Sequence, residues 1–128
     1  MNLLDIKVEV DKSKDLLKQV YEKQLELCKE VDPESIDAGV YTRKGQERVK
    51  KYIFYAVEEL MELSNKMKLR PWVQTEYIPD INEIYDELAD SYLMFLLVCI
   101  SLGVSPEKLT EIALKKIEVN RFRRETKY

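Results

Sequence analysis

The sequence predicts an all-α fold, a four-helix-type bundle assembling as a homo-oligomer, and three observations point to it. The 128 residues include only 3 Gly and 4 Pro, while the good helix formers Leu, Glu and Lys abound. Apolar residues recur at helical spacing in four long segments bounded by capping and breaking residues. No alternating run competes with them, although Ile6 to Val10 alternates briefly and reads as an extended arm. With 45% apolar and 35% charged residues, the chain has the balance of a globular domain with one sizeable core. No repeat or low-complexity tract divides it, so residues 1–128 read as a single domain.

The first helix is expected from about Asp11 to Val31, where Leu16, Leu17, Val20, Tyr21, Gln24, Leu27 and Cys28 recur at helical spacing and Asp32-Pro33 ends the run. The second runs from about Gln46 to Lys68, with Arg70-Pro71 closing it. Its core stripe reads Val49, Ile53, Val57, Leu60, Ser64 and Met67, and Phe54 and Met61 stand well off that stripe. The third opens at Asp80, which has the spacing of a capping box with Glu83. It runs to Leu102, stops at Gly103 and centres its core stripe on Leu88. The fourth has Ser105 as N-cap, Pro106 at the first helical position, a core face of Leu109, Ile112 and Ala113, and an end near Arg124.

Composition excludes several chemistries. There is no His, which removes Ser-His-Asp and Cys-His nucleophilic sites, His-containing zinc sites and the Glu-x-x-His pairs of di-iron bundles. The longest apolar run, Tyr92 to Ile100, is nine residues, about half a membrane span. Met1 to Asp5 lacks the basic and apolar regions of a secretory signal. Cys28 and Cys99, far apart in sequence, suit a reducing compartment better than a disulfide framework, so a cytoplasmic location is expected.

Charge is distributed unevenly along the chain. Between Arg70 and Lys108 there is no basic residue, while Glu76, Asp80, Glu83, Asp86, Glu87, Asp90 and Glu107 fall there. The C-terminal end reverses the sign with Lys115, Lys116, Arg121, Arg123, Arg124 and Lys127. A net charge of −3 and no basic stripe elsewhere argue against a general nucleic-acid binder. One acidic and one cationic patch suit a metal-bound polyphosphate, and solubility alone explains both as well.

The chemistry concentrates in two acid pairs. Glu59 and Glu62 on the second helix, and Glu87 and Asp90 on the third, are each three apart, so each pair shares a helix face with Cβ atoms about 5–6 Å apart. An antiparallel pairing of the two helices would bring the pairs face to face. Four carboxylates around one space form an oxygen-rich site for Mg²⁺, one ion or two roughly 3.5–4 Å apart. Either pair alone is what a solvated helix face carries. On the third helix, however, the acidic flank continues as Met94, Leu97 and Val98, so its upper part should be covered by protein. The core face of the fourth helix continues as Lys116, Asn120 and Arg123. These read either as a basic end complementing the helix dipole or as a phosphate clamp.

Glu59-Leu60-Met61-Glu62 and Glu87-Leu88-Ala89-Asp90, with 24 residues between them, resemble the ExxE…ExxD signature of the all-α nucleoside triphosphate pyrophosphohydrolases. That superfamily includes MazG-type enzymes and dimeric dUTPases, and the resemblance covers about Lys50 to Arg124. It implies that Glu59, Glu62, Glu87 and Asp90 hold Mg²⁺, with Mn²⁺ as a substitute, on the triphosphate of a nucleotide substrate. Lys116, Asn120 and Arg123 would bind phosphate, and Glu59 or Glu62 would orient or deprotonate the attacking water. The products would be a nucleoside monophosphate and pyrophosphate.

Lys68-Leu69-Arg70-Pro71-Trp72 resembles a segment of the dimeric dUTPases, in which Trp72 would stack on a base or anchor the loop. Gln24 reads as a contact to a base edge or as an ordinary helix glutamine. The resemblance implies a general, MazG-like enzyme, with a dUTPase- or dCTPase-type pyrimidine-specific member as the alternative. It further implies a homodimer or tetramer, with part of the site drawn from a neighbour; no membrane or nucleic-acid partner is expected. Two other classes compete: a non-catalytic helical interaction module, and a nucleic-acid accessory protein acting through its basic tail.

Overall fold

The computed structural model describes residues 3–34, 39–67, 69, 72 and 78–126. It is all-helical: a 3-10 turn at Leu3–Asp5 precedes α1 (Leu16–Val31), α2 (Arg43–Asn65), α3 (Ile81–Ser101) and α4 (Pro106–Thr126), and no strand occurs among the described residues. No single described helix is long and apolar enough to cross a membrane.

Each helix starts where a short polar side chain satisfies a free backbone N–H. Asp15 accepts from the Lys18 N–H at 2.9 Å, Thr42 from that of Gly45 at 3.0 Å, Asp80 from that of Asn82 at 3.0 Å and Ser105 from that of Lys108 at 3.1 Å. The first helix therefore begins at Leu16 and not near Asp11. Asp11 is held in a local turn instead, its carboxylate accepting from the Ser13 N–H and hydroxyl, a side-chain alternative to helix. At the other end of the core, Gly103 adopts φ 71°. Its N–H donates to Ile100 O and that of Val104 to Cys99 O, the two bonds of a Schellman stop.

α3 is the central helix, with its most extensive packing against α2 and a second contact with α1. The core lies where α1 crosses the C-terminal half of α3: Tyr21 and Cys28 meet Leu96, Cys99 and Ile100, flanked by Leu17, Val20, Leu97, Val104 and Leu109. Leu96 is fully enclosed, a burial that contributes roughly 1.5–3 kcal/mol. Two polar groups inside are satisfied, the Tyr21 hydroxyl donating to Val104 O at 2.6 Å and the Gln24 amide to Leu93 O at 3.1 Å. They stitch α1 to the start and end of the segment it covers.

Three expected core stripes are corrected. On α2 the line facing α3 is Gly45, Val49 and Tyr52, continued by half-buried Ala56, Glu59 and Leu63, whereas Ile53, Val57 and Leu60 are exposed. On α3, Leu88 is exposed together with Ile81, Tyr85, Tyr92 and Phe95. On α4, of the expected face only Leu109 packs inward, beside the buried Pro106, while Ile112 and Ala113 are exposed. The reason is shared: apolar periodicity marks every face that avoids water, and one chain has too few helices to cover them all. α4 leaves α3 at a bend of 103°, touches α1, and from Thr110 to Thr126 is exposed throughout.

Candidate metal centre

Antiparallel packing of α2 on α3 brings the two acid pairs together. Glu59, Glu87 and Asp90 each present a carboxylate oxygen within 4.8 Å of the others. Around an octahedral Mg²⁺ adjacent oxygens are about 2.9 Å apart and opposite ones about 4.2 Å, so the three would converge on a shared ion by side-chain rotation. Glu62 completes the constellation from an exposed position, within hydrogen-bonding reach of Glu87.

The electrostatics are those of carboxyls that burial and their own repulsion hold toward the protonated form. Burial, reinforced by Glu62, Asp90 and Glu87, pushes the Glu59 carboxyl up to about 7. Glu87 is raised by burial and by the hydrogen bond and charge of Glu62, against a downward pull from Lys66. Asp90 is raised by burial and by the charges of Asp86 and Glu62. Glu59 Oε2 and Glu87 Oε2 are shut off from water with no hydrogen-bond partner. Buried carboxylate oxygens in that position are satisfied only by a shared proton or a cation. The nearby ammonium of Lys66 faces Glu83 instead, at 4.0 Å.

Along the same side of the α2–α3 pair the acidic floor turns into a groove of about 580 Å³, lined among others by Gln24, Arg48, Tyr52, Tyr55, Met94 and Leu97. Tyr55 precedes Glu59 by one turn and Met94 follows Asp90 by one turn, so the groove adjoins the carboxylates. The expected covering of Met94, Leu97 and Val98 is observed: all three are half-buried. Tyr52 donates to Asp32 at 3.0 Å and Arg48 pairs with the same carboxylate at 3.5 Å, tying α1 to α2 at the groove wall. Its size suits a nucleoside-sized ligand. A larger hollow of about 880 Å³ beside Val8 to Lys12 lies along the exposed N-terminal arm and holds no cluster of groups able to do chemistry.

The other expected site residues are not brought to the carboxylates by their own chain. Lys116, Asn120 and Arg123 sit on the exposed length of α4, and among the described residues no hydrogen bond or ion pair links them to α2 or α3. Trp72 is 77% exposed; its neighbours Lys68, Arg70 and Pro71 lie outside the described residues, as does Lys127, and α2 ends at Asn65, before the expected Lys68. Gln24, expected either at a base edge or as an ordinary helix residue, lines the groove while its amide N–H is engaged. Arg48, Tyr52 and Tyr55 were missed from sequence; the signal available was their place one to three turns N-terminal to Glu59 on its own flank. Compared with protein-family models, curated proteins and solved structures, the chain matches none.

Proposed function

We propose that this protein is a Mg²⁺-dependent nucleoside triphosphate pyrophosphohydrolase, converting a (d)NTP and water to a (d)NMP and pyrophosphate. The observation that carries the reading is the pair of buried, unpartnered oxygens of Glu59 and Glu87 in a three-carboxylate cluster beside a nucleoside-sized groove. Glu59, Glu87 and Asp90 hold the metal, with Glu62 beside them, and Mn²⁺ serves as a substitute. Bound there, the metal would activate water and neutralise charge on the attacked and leaving phosphoryl groups. A carboxylate of α2, Glu59 or Glu62, orients the attacking water and takes its proton. The groove wall of Gln24, Tyr52 and Tyr55 receives the nucleoside and keeps it in line with the carboxylates. Lys116, Asn120 and Arg123 bind phosphate, and Trp72 contacts the base. A homo-oligomer is the assembly of this reading.

Pyrophosphate release from a panel of NTPs and dNTPs, with Mg²⁺ and with EDTA, tests it. Magnesium-dependent release is expected, and a preference for uracil or cytosine nucleotides would select the pyrimidine-specific member. Silence across the panel from folded, metal-loaded protein would overturn the enzyme in favour of a helical interaction module.

A further inference from the structure

We propose that Arg48 selects the base of the nucleotide. It favours bases with a carbonyl oxygen at the position farthest from the sugar (uracil, thymine, guanine, hypoxanthine) over those with an amino group there (cytosine, adenine). The inference rests on the nucleotide reading above and starts from a buried donor. Nη1 of Arg48 is shut off from water and has no hydrogen-bond partner among the described residues, although the residue lines the groove. A guanidinium donates and never accepts, and a charged donor buried without a partner is costly. An acceptor brought into the groove relieves that cost.

The rest of the guanidinium is held in place. Nη2 pairs with Asp32 Oδ1 at 3.5 Å and with Glu34 at 3.6 Å. The other Asp32 oxygen accepts from the Tyr52 hydroxyl at 3.0 Å, so both oxygens of that carboxylate are engaged in orienting the groove wall. The Arg48 side chain is only 12% exposed. A planar fork fixed through one nitrogen offers the other as a donor of set position, which a flexible ammonium cannot do. Lys51, a second cation of the groove, is exposed and holds its ammonium 5.2 Å from the centre of the Tyr52 ring.

The register along α2 gives the donor its target. Arg48 precedes Glu59 by eleven residues, three turns, so the two share one face of the helix about 16 Å apart along its axis. Tyr52 and Tyr55 occupy the interval, and Leu27, Met94 and Leu97 line the groove with them; aromatic and apolar walls of this kind take the faces of a base. With the phosphates on the carboxylates, sugar and base run toward the N-terminus of α2, and the base meets Arg48 with its far edge. That edge bears an acceptor oxygen in uracil, thymine, guanine and hypoxanthine, and an amino donor in cytosine and adenine. An amino group there sets N–H against N–H and leaves both unpaired, a mismatch that a hydrogen-bonding site rejects more strongly than a missing methyl group.

Binding without turnover decides the matter. Calorimetry with Mg²⁺ uses the α,β-imido analogues of dUTP, dCTP, dITP and dATP, in which nitrogen replaces the bridging oxygen of the bond to be cut. The carbonyl-bearing member of each pair, dUTP over dCTP and dITP over dATP, should bind roughly 10–100-fold tighter. Arg48→Met, with its helical circular dichroism intact, should bring the dUTP and dITP analogues down to the affinity of the other two, whose own binding stays within about three-fold. If the methionine variant does not fold, Arg48→Lys keeps a charge beside Asp32 without the second nitrogen, and the same loss of preference is expected. Equal affinity within both pairs in the wild-type chain, or a preference for the amino bases, overturns the proposal and leaves the nucleotide reading standing. A preference that survives the Arg48 substitution, or an equal weakening of all four analogues, which would make Arg48 a phosphate contact, overturns it as well. Failure of every analogue to bind at millimolar concentration overturns the nucleotide reading itself, and the proposal with it.

Discussion

Glu59 ionises in the company of three other carboxylates and in partial burial, which is why it holds its proton up to about pH 7. Its folded-state pKa lies above the ordinary value of 4.5, so the folded chain binds more protons than the unfolded chain between the two values. Stability without metal therefore falls as pH rises through that interval. In EDTA the melting temperature should drop between pH 5 and pH 8, and Glu59→Gln should flatten the slope; an unchanged slope in the variant would place the titration elsewhere. On the proposed reading Mg²⁺ would replace the proton, and the thermal shift it produces should grow over the same range. Glu62, exposed beside the cluster, tests function without testing the fold. Glu62→Ala should lower turnover at least 100-fold while leaving the helical circular dichroism intact, and retained activity would remove it from the site.

At the scale of elements, the caps at Asp80 and Ser105 were legible because each is a local exchange between a side chain and backbone N–H groups a few residues away. Thr42, a cap of the same kind, lies before the expected start of α2, and Asp15 replaced Asp11 as the start of α1 because Asp11 had a nearer use in its own turn. The stop after α3 is the best defined. Gly103 at φ 71° meets nothing within 4 Å of where a Cβ would be, so the cost of Gly103→Ala is conformational only, about 1 kcal/mol. A fall of a few degrees in melting temperature with unchanged helicity is expected; no fall would mean the turn relaxes. Leu96→Ala, in contrast, removes a fully enclosed side chain and should cost about 2–5 kcal/mol in denaturant unfolding. The same substitution at Leu88, exposed in the single chain, should cost well under 1 kcal/mol per monomer.

For the whole molecule, the apolar stripes of α2 and α3 are left exposed by the described residues. Leu88→Glu should therefore leave a folded monomer and split any assembly, readable as a halved mass by light scattering. A variant that unfolds instead would show that Leu88 is covered within one chain. The periodicity that marked Leu88, Ile53 and Leu60 as core found the apolar faces of their helices, but the structure leaves these positions exposed. Hydropathy reports that a face must be covered and carries no information about which element covers it. The acid pairs were legible for the opposite reason: a three-residue spacing fixes a shared helix face whatever the tertiary context.

By itself, then, the sequence determined the four helices, the caps at Asp80 and Ser105, the stop at Gly103, the absence of histidine chemistry, and the two carboxylate pairs, all consequences of composition or of interactions within one or two turns. Only the tertiary structure decided that Glu59, Glu87 and Asp90 converge within 4.8 Å, that Arg48, Tyr52 and Tyr55 wall a groove next to them, and that α4 turns away by 103°. Those outcomes depend on how helices far apart in sequence share a limited core, and no local pattern encodes how that competition is resolved.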